Sequence, residues 1–188
     1  DLVAQFLKNS KDVEILLMDM FVIGENGDYV CHRRSLKPNS LFAKYACAGF
    51  TAATFQRVSI TKEKRIFFNT KWKNFGDKVW YNDLIKNGVR FGVLNQPIAI
   101  FAETGENLNW TDEGLRERDL YCKEFLNNSK FGTKVIAIIN AVIRRIKEVF
   151  LTSPKQFDFY PYGHNKRIKK IIKNPTCHWG KSWKNVNN

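Results

Sequence analysis

Residues 13–30, VEILLMDMFVIGENGDYV, decide how the chain is read. Residues 13–23 are apolar apart from Glu14 and Asp19, have the length of a strand and carry few helix signals. The Asn26-Gly27 dipeptide that follows is a strong hairpin-turn signal, because both central positions of such a turn need positive φ. Residues 28–34, DYVCHRR, then read as the returning strand.

Outward from that hairpin, strand and helix patterns alternate. Upstream, residues 1–9 place Leu2, Val3, Phe6 and Leu7 on one helical face. Downstream, a short helical patch near residues 40–47 follows Pro38, and FTAATFQRVSI (50–60) is rich in Thr, Phe and Val like a strand. GDKVWYNDLIKNG (76–88) reads as a helix whose face is Val79, Trp80, Leu84 and Ile85, with Asn87-Gly88 as its stop. Residues 89–103 give two short strand-like runs broken at Asn95–Pro97. This order predicts an α/β layered domain with a mixed sheet flanked by helices. Two further helices are expected, at 112–127 and 131–151. In the second, Val135, Ile138, Ile139, Val142, Ile146 and Val149 keep a period of 3.6, beside Arg144, Arg145 and Lys147.

Charge divides the 188 residues unevenly. The total is +13, with 15 Lys/Arg against 13 Asp/Glu in residues 1–113, and 16 against 5 in residues 114–188. We expect two parts, a domain over 1–112 and a basic helical extension over 113–188. An anionic partner would meet the second. A hydrophobic content of 44% with 14% aromatics is ample for a packed core and excludes a disordered chain. No run of eighteen apolar residues occurs.

Motif chemistry is sparse. There is no phosphate loop, no GxSxG and no HExxH. His32, His164 and His178 are scattered, and Cys177-His178 lacks zinc-site spacing, so no metal site is expected. Cys31, Cys47, Cys122 and Cys177 form no CxxC and read as free thiols. The carboxylate of interest is Asp77, at the start of the 76–88 helix. By residue type it reads as the helix N-cap, a position that is both rigid and electropositive.

Four segments together resemble the C-terminal half of the family 2 glycosyltransferases, which have the A-type nucleotide-sugar fold. They are VEILLMDMFVIGENGDYV (13–30), FTAATFQR (50–57), FNTKWKNFGDKVWYNDLIKNGVRF (68–91) and LNQPIAIFAETGENLN (94–109). The resemblance covers residues 1–110. It implies transfer of a sugar, with inversion, from a nucleotide-sugar donor to a hydroxyl of a glycan or lipid-linked acceptor, in polysaccharide, cell-wall or glycan synthesis. It also implies that Asp77 is the general base that takes the proton of the attacking hydroxyl. Trp80 would be a flat surface for a sugar ring, and Thr51 and Thr54 would lie near the sugar. Family members hold a divalent metal, Mg or Mn, through an Asp-x-Asp motif, and this sequence has none. The donor and metal sites are therefore expected mostly upstream of Asp1, with this chain an acceptor-side fragment that is inactive alone.

Residues 131–173 combine an amphipathic helix with NKRIKKIIK, a pattern suited to an anionic membrane surface. A peripheral place on the inner face of the cell membrane, in the cytoplasm, follows as the expectation. The alternative is nucleic-acid binding, through Phe157, Phe159, Tyr160, Tyr162 and Trp179 interleaved with Lys and Arg.

Overall fold

The computed structural model describes residues 2–24, 27–38, 40–45, 49–103, 111–126, 155–160 and 164–173, together with 132, 134–136, 138–139, 142–143 and 146. The architecture is a mixed α/β fold. Helix α1 (Leu2–Asn9) leads into the long strand β1 (Ile15–Gly24), and β2 (Tyr29–Arg33) returns antiparallel to it. Gly27 in the connecting turn has φ of 75°, and a Cβ there would run into the ring of Phe159, so only glycine fits.

A small helix, α2 (Ser40–Ala43), precedes β3 (Thr54–Gln56) and α3 (Ser59–Lys62). The strand expected over 50–60 is thus cut to three residues. Residues Thr51–Ala53 close a 3-10 turn instead, with the N–H of Ala53 bonded to the carbonyl of Phe50. Then come α4 (Gly76–Lys86) and β4 (Phe91–Glu103), which runs parallel to β1. The two runs expected at 89–103 are one strand. The break read at Asn95–Pro97 appears as slips in its register against Met18, Asp19 and Met20. Strands β2 and β3 share one edge of β1 and β4 takes the other, so β1 is central.

That position explains the continuous apolar run. A central strand covered on both faces needs apolar residues at successive positions rather than alternate ones. On one face Ile15 and Leu17 pack with Trp80, Tyr81 and Leu84 of α4. On the other, Leu16, Met18, Met20 and Val22 meet Val3, Phe6 and Leu7 of α1.

Apolar packing crosses the expected boundary at 112/113. Helix α5 (Asp112–Leu126) buries Tyr121 and Leu126 with Trp72 and Val79. Strands β5 (Lys155–Phe159) and β6 (Ile168–Ile172) form an antiparallel pair, and Phe157, Phe159 and Ile172 pack on Phe21 and Ile23 of β1. The sequence reading had no strands there. Residues described between 132 and 146 are helical, and Val135, Ile138, Ile139, Val142 and Ile146 are exposed. Arg144, Arg145 and Lys147 lie outside the described residues. Among the described residues, no helix is long and apolar enough to cross a membrane.

Candidate functional site

Two carboxylates stand out. One is Asp77, in the first turn of α4. The expectation that Asp77 is the N-cap is corrected by two positions. The helix begins at Gly76 and Phe75 is the cap residue, with no side-chain capping bond. Asp77 is half-buried, and its Oδ1 accepts the N–H of Lys78 at 2.6 Å. An acid in the first turn still complements the helix dipole.

The loop entering α4 is held from a distance. Glu117 of α5 is buried and accepts the backbone N–H groups of Lys73 (2.8 Å), Asn74 (2.8 Å) and Phe75 (3.0 Å). Burial alone would raise this carboxyl, but the three N–H bonds and the Lys73 charge outweigh it and hold it below its ordinary value. Lys78 lies over the Tyr121 ring, 4.4 Å from its centroid. Asn82 donates to the Tyr121 hydroxyl at 2.6 Å, and that hydroxyl donates to the carbonyl of Lys44 at 2.8 Å. Helix α4 is therefore anchored by α5 along much of its length, and the backbone carrying Asp77 is fixed.

The TAAT segment reaches the same helix. Thr54 donates its one hydroxyl proton to the carbonyl of Phe50 (2.7 Å), so the Tyr81 hydroxyl donates to Thr54 (2.6 Å). Gly49 sits against Leu17 and the Tyr81 hydroxyl, where a Cβ would be 2.9 and 3.0 Å from them. Thr51 is exposed at the start of the 3-10 turn. Thr54 is thus tied to α4. Trp80 is only 4% exposed, with Phe68 stacked on it at 4.6 Å. It packs the core and offers little surface to a sugar, which corrects the expectation of Trp80 as a platform.

The other carboxylate is Asp19, fully buried in the middle of β1. Its partners are His32 Nε2 (3.0 Å), the N–H of Ser35 (2.9 Å) and Asn95 Nδ2 (3.2 Å), with Arg34 Nε at 3.7 Å. Ser35 also donates to the carbonyl of Met18 at 2.7 Å. The register slip in β4 occurs where Asn95 turns toward Asp19. This network joins β1, the exit from β2 and β4. The sequence reading passed over it, because partners 13 to 76 residues apart leave no local signal.

Among the described residues no three His, Cys, Asp or Glu side chains converge to hold a metal ion, and Asp19 is already saturated. The residues described here do not fit the divalent cation that the resemblance implies. A cleft of about 350 Å³, lined by Asp12, Lys37, Pro38, Ile85 and Arg90 among others, includes none of the expected site residues. Comparison of the chain with protein-family models, with curated proteins and with solved structures gives no match.

Proposed function

We propose that this chain is the acceptor-side part of an inverting glycosyltransferase with an A-type fold, and that Asp77 is its general base. The observation that carries the reading is the placement of Asp77. It is a half-buried carboxylate on a helix start whose approach is pinned by three bonds to Glu117. A sugar hydroxyl is a poor nucleophile until its proton has an acceptor in place, and a carboxylate held in one geometry provides that. In the step proposed, the acceptor oxygen attacks the anomeric carbon and the sugar–phosphate bond breaks. The hydroxyl proton passes to Asp77, and the nucleoside diphosphate leaves with the bonding electron pair. The reading is tested by supplying the native protein with nucleotide-sugars and glycan acceptors and measuring nucleoside diphosphate release. Acceptor-dependent release is expected. Its absence across donors and acceptors sinks the reading.

A second observation favours contact with an anionic membrane face. Val135, Ile138, Ile139, Val142 and Ile146 are exposed at helical spacing, and Lys166, Arg167, Lys169 and Lys173 are exposed around the β5–β6 pair. Exposed apolar residues and exposed cations are each suited to an interface that is both apolar and negative. This is compatible with a transferase acting on a lipid-linked acceptor at the inner membrane face. Flotation with phosphatidylserine vesicles but not with phosphatidylcholine vesicles is expected. Steeply salt-dependent binding to RNA or DNA, without vesicle binding, would favour the nucleic-acid reading instead.

A further inference from the structure

We propose that the cleft between residues 37–40 and the turn from α4 to β4 is a binding site for a small organic monocarboxylate with an apolar body. It lies at the other end of α4 from Asp77, and nothing in it depends on the reading of Asp77 as the base. The cleft holds about 350 Å³, at the small end of the range for ligand pockets. Three segments far apart in sequence meet around it. They are Asp12 before β1, Lys37 after β2, and Ile85, Val89, Arg90 and Phe91 at the end of α4 and the start of β4. The apolar wall is preformed. Val89 and Phe91 are buried with Ile15, Leu17 and Leu84, and Ile85 packs against the same cluster. The turn is closed by the N–H of Gly88 on the carbonyl of Ile85 (3.1 Å) and the N–H of Val89 on that of Leu84 (3.1 Å).

The charges of the cleft select the ligand. Its charged lining residues are Asp12, Lys37 and Arg90, two cations against one acid. Arg90 is held at both ends. Its backbone N–H donates to Glu14 Oε2 at 3.1 Å and its Nε to the carbonyl of Asp12 at 2.6 Å. The guanidinium is thus placed, while its two Nη groups have no hydrogen-bond partner among the described residues. Nor do Lys37 and the Asp12 carboxylate have an ion-pair partner among them. Outside the lining, Glu14 is already bonded to Lys64 at 2.8 Å, Lys86 lies over the Phe125 ring at 5.3 Å, Lys11 is exposed and Asp83 is half-buried. A carboxylate meets the Nη fork and the Lys37 ammonium, and its apolar body covers Ile85, Val89 and Phe91. A single negative charge matches the excess of one cation. Asp12 opposes a second one, which favours a monocarboxylate over a phosphate ester.

The test is an amide NMR titration of the 188-residue chain. The probes are benzoate and isovalerate, with benzyl alcohol as the neutral counterpart and inorganic phosphate as the bare anion. Saturable shifts are expected at the amides of Val89, Arg90 and Phe91 with at least one of the two acids, with Kd on the order of 1 mM or tighter. Benzyl alcohol and phosphate should each bind at least about fivefold more weakly than that acid. Arg90→Gln should weaken the acid about tenfold, through loss of the fork. Lys37→Gln should weaken it about threefold with the melting temperature unchanged. Asp12→Asn keeps the carbonyl that holds Arg90 and should tighten binding about twofold. Absence of saturable shifts with both acids overturns the proposal. So does equal binding of benzyl alcohol, which leaves an apolar hollow, or of phosphate, which leaves a pair of cations that takes any anion. Affinity unchanged in both Lys37→Gln and Arg90→Gln overturns it as well. Each of these results is independent of sugar transfer by the native protein, so the two readings fail separately.

Discussion

Asp19 and Asp77 are both carboxylates on the one sheet-and-helix framework, and their surroundings are opposite. Asp19 has no exposure and is met by a histidine, a backbone N–H, an amide and a more distant guanidinium. Every one of those groups belongs to the sheet or to the loop leaving it. Asp77 is half-buried on a helix start, its Oδ1 accepts the N–H of Lys78, and the loop just before it, residues 73–75, is held by Glu117. The lesson is one of division of labour. A carboxylate bonded on all sides inside the fold ties strands together, whereas one at a helix start stays partly open to solvent.

Substitution at Asp19 should have the largest effect on stability. Asp19→Ala leaves the partners of a buried charge without their acceptor and should destabilise by about 3–5 kcal/mol in chemical denaturation. Asp77→Ala, by contrast, should cost about 1 kcal/mol or less, the loss of a first-turn acid. Equal costs at the two sites would break the comparison. Next is Glu117→Gln, expected to cost about 1–3 kcal/mol through weakened bonds to the loop before α4. Its pH dependence has a definite sign. The carboxyl of Glu117 lies below its ordinary value of 4.5 in the folded chain. Its contribution is therefore fully present above that value and is lost as pH falls through the lower folded value. Wild-type stability should drop more steeply than that of Glu117→Gln in acid unfolding measured below pH 4.5. A small effect, close to that of Asp77→Ala, is expected at the tie between α4 and the TAAT segment. Tyr81→Phe should cost about 1 kcal/mol in the same assay, the worth of one buried hydrogen bond.

The parts of this picture that were legible in the sequence are those written in contiguous residues. β1 was read from its unbroken apolar run, the β1–β2 turn from Asn26-Gly27, and the end of α4 from Asn87-Gly88. Gly88 indeed takes φ of 65° there, with its N–H on the carbonyl of Ile85. What failed depended on distant partners. By residue type Asp77 reads as the cap, but the N–H groups before α4 are met by Glu117, some 40 residues on in sequence, which no local motif announces. Trp80 and Phe68 are both aromatics near the site, and only the fold decides which is underneath. The β5–β6 pair escaped notice because Phe157 and Phe159 are buried by Phe21 and Ile23, residues more than 130 positions away. Residues 50–53 are strand-like by composition, yet the 3-10 turn and the Thr54–Tyr81 bond override that preference.

The most direct measurement is sugar transfer by Asp77→Asn in the native protein, with donor binding followed in parallel. The exchange removes the proton acceptor while keeping the size of the side chain. Transfer should fall by roughly 10²- to 10⁴-fold, the range for loss of a general base, while donor affinity stays within about twofold. Transfer retained at wild-type rate would show that the acceptor proton leaves by another route, and the carboxylate at the start of α4 would then be a helix-end charge and no more.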